Sequence, residues 1–226
     1  MSQTIDLSGP LYNGTWSYNM LGTLGVQLPE FSVERLSTVA QNGFESFSFG
    51  MSSLSGSYIE TASHMMEGAP MLSDLPVESF IRPAVVCHVP RKGPEELIHG
   101  AELAVACPPI QAGDALLIDC GWGNQWRSSG YVTCCPAFHF DCLPWLLTQQ
   151  FSILGVDTPC IENARSRPTG NEQVGAMLTP IFRRGILLLA PLINLDRITT
   201  SRGEIIALPL NISGASGAPC RAVFRE

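Results

Sequence analysis

Six short aliphatic and β-branched runs, each closed off by Gly, Pro or Asp, limit what this chain can fold into. They occupy residues 84–89, 115–120, 151–156, 186–190, 205–212 and 220–224. Runs of this length with such flanks are buried strands rather than helices. Helical segments are expected between them. Residues 31–40 offer Ser32 as N-cap and Glu34 in the first turn. Residues 93–96 put Pro94 at a first helical position with two acids behind it. Residues 138–150 carry an apolar stripe through Leu143, Leu146 and Leu147 with Pro144 near the start. Residues 172–182 are the last candidate, and Gly214, Gly217 and Pro219 suggest a hairpin link between the final strands. With a Gly/Ser-rich, unpaired stretch at 44–57, the pattern predicts one α/β domain with a mixed sheet over residues 1–226.

Composition narrows the function. Charged residues make up 15% of the chain and the net charge is −7. A phosphate backbone requires a basic face, so nucleic acid is excluded as a partner. The longest apolar stretch, residues 185–195, is too short to cross a bilayer and holds Pro191. The N-terminus lacks the basic and apolar regions of a signal peptide, so the expectation is a soluble cytoplasmic protein. The eight cysteines include no C-x-x-C pair, and several lie inside apolar runs. They read as reduced thiols serving as small hydrophobes rather than as disulfides or a zinc knuckle. Cys134–Cys135 is a pair without an assigned mechanism. Residues 161–173, with Glu162, Arg165 and Arg167, read as a polar surface loop.

The chemistry concentrates in residues 54–64, LSGSYIETASH. Tyr58 and Glu60 share one face of an extended segment, and His64 comes within reach if the chain turns after Glu60. Phenol, carboxylate and imidazole together make an acid/base set. Spacing alone carries little weight for such a triplet.

The same segment resembles the signature of the putative-cyclase, or kynurenine formamidase-like, family: His-x-Gly-Thr-His-x-Asp-x-Pro-x-His. Other stretches agree in order: DLSGPLYNG at 6–14, IQAGDALLIDCGW at 110–122, GVDTPC at 155–160, NLD at 194–196 and ALPLNISGASGAPCRAV at 207–223. The resemblance implies a swivelling β/β/α domain, a homodimer or homotetramer, and a pocket near the GWGNQW loop. Family members hold zinc or manganese through the signature histidines and aspartate, a later His and a Glu. Here those positions fall on Leu54, Tyr58, Glu60, Leu178 and Ala190, and the final catalytic histidine on His64. A metal ion needs three or four good donors. Tyr58, Glu60 and His64 supply three at most and a neutral tyrosine is a poor ligand, so no metal or other cofactor is expected.

Three readings follow. In the first, a metal-independent enzyme acts on a small-molecule amide, lactone or cyclic carbonyl compound. His64 is general base, Glu60 orients it, Tyr58 donates to the oxyanion, and Trp122, Trp126 and Asp157 line the pocket. Loss of the metal suggests a specialised role such as natural-product tailoring. In the second, zinc or manganese is held by a rebuilt set that recruits Asp157 or His139, while His88 and His99 are structural. In the third, the chain is a non-catalytic binding or partner subunit.

Overall fold

A computed structural model describes residues 3–22, 24–162 and 175–226. Its centre is a sheet whose strands are β1 (Thr4–Asp6), β4 (Tyr58–Glu60), β5 (Ile81–His88), β7 (Ala115–Asp119), β9 (Ile153–Val156), β10 (Leu187–Ala190), β11 (Arg202–Pro209) and β12 (Gly217–Arg225). The strands β5, β7, β9 and β10 run parallel, and β10–β4, β4–β12, β12–β11 and β11–β5 are antiparallel. All six apolar runs contribute strands.

Closure comes from the length of β12. Its first residues, Gly217–Pro219, pair with β4, and its last, Val223–Arg225, pair with β1 along the same edge. The ring β12-β11-β5-β7-β9-β10-β4 therefore returns to β12 as a seven-strand mixed barrel. The α/β class and mixed sheet are as the sequence predicts. The swivelling β/β/α layering holds only in part, because the sheet closes on itself instead of stacking.

Period-2 alternation sorts the strand residues into two cores. Inward residues are small or aliphatic for the most part: Ile59, Ala84, Val86, Ala115, Leu117, Ile153, Leu189, Ile205, Ala207, Ala218, Ala222 and Phe224. Outward residues, including Tyr58, Val85, Cys87, Leu116, Ile118, Leu154, Leu188 and Ala190, pack beneath helices and loops. The covering helices are α2 (Gly100–Ala106), α3 (Cys142–Thr148) and α4 (Leu178–Phe182). They follow or precede short strands, including the parallel pair β6 (Leu97–Ile98) and β8 (Ala137–Phe138).

Several local expectations change. Residues 31–40 form strand β2 (Ser32–Ser37) and then the single-turn helix α1 (Val39–Asn42), capped by Thr38. Ser32 and Glu34 imitate a helix start, but β2 pairs with β3 (Ser46–Gly50), which falls inside the stretch expected to be unpaired. Tertiary pairing outweighs the weak cap signal. Residues 93–96 are not helical; Glu95 adopts φ 64, and the helix begins only at Gly100. Pro144 does sit in the first turn of α3, where its missing N–H costs nothing. Of the last helical segment, residues 178–182 form α4, while Glu172, like Arg165 and Arg167, lies outside the described residues. Gly214 takes φ 74 in the last turn, whereas Gly217 and Pro219 belong to β12 itself.

Candidate active site

Strand β4 places Tyr58 and Glu60 on the outer face, with Ile59 between them pointing into the barrel. Thr61 then caps a 3-10 turn, Ala62–His64, by accepting the Ser63 N–H. This turn brings His64 Nδ1 to 3.5 Å from Glu60 Oε2. Glu60 is 2% exposed while the His64 side chain is 32% exposed, so the imidazole is the face of the pair that solvent or substrate can reach. The sequence-predicted proximity of these residues is present.

Glu60 Oε2 makes no hydrogen bond, and among the described residues no cationic side chain other than His64 stands within ion-pair distance of it. Burial pushes its carboxyl up to about 8. Burial also lowers His64, so both groups are mainly uncharged near neutrality. The Tyr58 hydroxyl lies 2.9 Å from that of Tyr18, and Tyr18 donates to the Pro159 carbonyl. With the Tyr18 proton committed there, the Tyr58 proton points at Tyr18. Burial, and for Tyr58 the neighbouring Glu60 carboxylate, hold both phenols well above their ordinary range, so both remain donors.

Behind Tyr18 stands an aromatic cluster that no sequence motif announces. Trp16 packs edge-on against Tyr18 and Trp126 with centroids 5.6 and 5.1 Å apart, and lies 5.2 Å from Tyr131. Tyr131 in turn stacks on Trp122 at 6.4 Å. The only sequence trace of Trp16 and Tyr18 is the pairing of two aromatics in GTWSYN, which carries no chemistry by itself.

Trp122 and Trp126 are each 4% exposed, so both are core residues of this cluster. The Trp122 indole donates to the Tyr131 carbonyl and that of Trp126 to the Pro10 carbonyl. The Trp126 ring lies on Gly9, where any Cβ would come within 2.1 Å of it. Asp157, directly after β9, is buried and accepts the backbone N–H groups of Cys120, Trp122 and Gly123 at 2.7–3.2 Å. Its carboxyl is pushed up by burial to about 6. These three residues hold the GWGNQW loop against the barrel.

The family's metal does not fit this site. Leu54, Leu178 and Ala190 all pack in the outer apolar core and offer no donor. Two of the donors suggested by sequence for a rebuilt set are engaged elsewhere. Asp157 is occupied by backbone amides, and His139 groups with His99 and Asp141 on elements that do not carry Glu60 and His64. Among the described residues, three His, Cys, Asp or Glu ligand atoms converge only at His99, His139 and Asp141. His88 pairs with Asp119 at 2.8 Å.

The structure is a closed mixed α/β barrel that bears a carboxylate–imidazole pair on its outer face. The chain matches the family model described as "Putative cyclase" over residues 5–163, and it belongs to that family. Curated relatives include the kynurenine formamidase of Bordetella petrii, 29% identical over 76% of each chain. That of Bacillus thuringiensis is 27% identical over 99% of this chain and 98% of its own. Isatin hydrolase A from Ralstonia solanacearum shares the fold with TM-score 0.85 at 21% identity, covering 99% of this chain and 92% of that one. A predicted metal-dependent hydrolase from Bacillus stearothermophilus aligns with TM-score 0.76 at 19% identity, over 100% and 98% of the two chains. The family is one of hydrolases, and this chain is an enzyme of that family. No helix among the described residues is long and apolar enough to cross a membrane.

Proposed function

We propose that the chain is a metal-independent hydrolase or cyclase acting on a small amide, lactone or cyclic carbonyl compound. The observation that carries this reading is the Glu60–His64 pair: a buried carboxylate oxygen beside a partly exposed imidazole. His64 Nδ1 faces Glu60, which leaves Nε2 to take a proton from water. The hydroxide adds to the substrate carbonyl. Rotation about its C–O bond re-aims the Tyr58 hydroxyl from Tyr18 to the developing oxyanion. Collapse breaks the C–N or C–O bond, and the proton on His64 passes to the leaving nitrogen or oxygen. Ring closure with loss of water is the same path reversed.

Trp122, Trp126 and Asp157 serve this site as the packed wall behind it. The relatives' names, kynurenine formamidase and isatin hydrolase, support an amide bond on a planar aromatic compound as the substrate class. The replaced ligand positions favour a specialised role, such as natural-product tailoring, over the formamidase reaction itself. The direct test is turnover by His64→Ala, which should be almost lost; undiminished turnover would remove this reading.

Glu60 gives the pair a pH signature. Its folded value is raised from an ordinary 4.5 to about 8. The stability this group permits is therefore complete below about pH 4.5 and lost progressively as pH rises to about 8. Glu60→Gln stays neutral, so its stability relative to wild type grows between about pH 5 and 9, on the order of a few kcal/mol in total. Denaturant midpoints at the two ends measure it; an unchanged difference would show that Glu60 titrates normally. In turnover the sign is opposite. The carboxylate stabilises an imidazolium, so wild-type kcat/KM rises through about pH 8 and Glu60→Gln loses that limb.

The free state of all eight cysteines fits a reducing, cytoplasmic setting. Self-association is the second half of the proposal. The β2–β3 hairpin leaves Leu36, Phe47 and Phe49 41–63% exposed, a patch that a homodimer or homotetramer would cover. Phe49→Glu is expected to shift the species seen by light scattering towards monomer; a monomeric wild type would remove this part of the proposal.

A further inference from the structure

A second polar cluster lies on elements that do not form the Glu60–His64 site. The parallel pair β6–β8 aligns Ile98 with Phe138, and the His139 N–H donates to the Ile98 carbonyl at 2.8 Å. The residue after each strand is a histidine, so the register sets His99 beside His139, with ring centroids 4.7 Å apart and planes at 40°. Asp141 follows two residues later. Its Oδ1 accepts the Gly100 N–H at 2.9 Å, which fixes the carboxylate against the start of α2. Gly100 permits that approach, since a Cβ there would lie 2.5 Å from the Asp141 carbonyl oxygen.

Capping α2 uses Oδ1 of Asp141 and the Glu102 carboxylate, which accepts the His99 N–H at 2.8 Å. Oδ2 is left facing both imidazoles: His99 Nδ1 at 2.9 Å and His139 Nδ1 at 3.0 Å. The three ligand atoms all lie within 4.8 Å of one another. An ion about 2.0–2.2 Å from each of three donors needs those donors roughly 3–4 Å apart. The two separations to Oδ2 already stand at the lower edge of that range. The side chains are 38–48% exposed, which leaves room for water in the remaining coordination positions.

We propose that His99 Nδ1, His139 Nδ1 and Asp141 Oδ2 form a binding site for one divalent transition-metal ion of the zinc, cobalt and nickel class. Two imidazoles and one carboxylate suit borderline cations and give calcium or magnesium too few oxygens. Each ring binds as its Nε2–H tautomer, so its Nδ1 lone pair turns to the ion, which at His139 replaces the Asp141 N–H that Nδ1 accepts at 3.3 Å. The ion ties the β6–α2 segment to the β8–α3 segment and acts as a structural clamp outside the hydrolytic pair.

The test is titration of EDTA-treated, tag-free protein with Zn²⁺ by calorimetry, with visible absorption of the Co²⁺ form as a second readout. One ion per chain is expected, with a Kd of about 10 µM or tighter. His99→Gln/His139→Gln is expected to weaken binding at least about tenfold, and Asp141→Asn similarly. Glu60→Gln and His64→Ala should bind as wild type does. A thermal midpoint that Zn²⁺ raises in wild type but not in the double variant provides an independent readout, free of the variant's calorimetry. Absence of binding, or binding unaffected by the double variant, overturns the proposal. Binding abolished by Glu60→Gln or His64→Ala overturns it too, and would place the ion at the hydrolytic pair instead.

Discussion

His64→Ala is expected to lower turnover of an amide or lactone substrate by at least about a hundredfold, the usual loss on removing a general base. The expectation rests on position. His64 ends a 3-10 turn capped by Thr61, and its ring is partly exposed over a carboxylate oxygen that makes no hydrogen bond. Truncation at that place removes little core packing, so thermal unfolding should change little while kcat falls. Initial rates at saturating substrate, with circular dichroism of the same sample, separate the two effects. A His64→Ala variant retaining wild-type kcat would end the acid/base reading and leave a binding or partner role for the chain.

Asp157→Ala should give the largest loss of stability of any substitution near the site. Its carboxylate accepts three backbone N–H groups and lies 3.1 Å from the Cys120 thiol, all in a buried environment. Deleting it leaves three buried donors unpaired at about 1–3 kcal/mol each. A loss of about 3–5 kcal/mol is expected, a large part of the ~5–15 kcal/mol that holds a typical domain together. Asp157→Asn keeps one acceptor oxygen and should lose roughly half as much. Urea unfolding monitored by tryptophan fluorescence measures both, because Trp122 and Trp126 sit on the loop that Asp157 anchors. Equal midpoints for Asp157→Ala and wild type would show that the loop is held elsewhere.

The strands are legible in the sequence because barrel walls buried on both faces read as continuous apolar runs, as ALLID and LLLA do in β7 and β10. The closure is not legible. It depends on β12 sharing one edge between β4 and β1, which no local pattern states. Strand β2 is disguised because SVERLS carries a cap and an acid in helical positions, while its partner β3 lies across α1. In the site, the Tyr58, Glu60 and His64 spacing is informative since strand and turn geometry fix neighbours within a few residues. Tyr18 and Trp16 leave no such trace, because their contacts with Tyr58 and Tyr131 join residues far apart in sequence. Resemblance alone puts Trp122, Trp126 and Asp157 near the site, and their bonds show them bracing a loop. His99 looks structural by itself and His139 is a lone candidate donor; only the β6–β8 register sets them side by side.

The central claim is that hydrolysis here proceeds through His64 and Glu60 without a metal. It is tested most directly by measuring amide or lactone turnover and zinc and manganese content on the same EDTA-treated, tag-free sample. Turnover retained at less than about 0.1 ion per chain is the predicted result. Turnover that disappears with the ion and returns when zinc or manganese is restored would contradict the account.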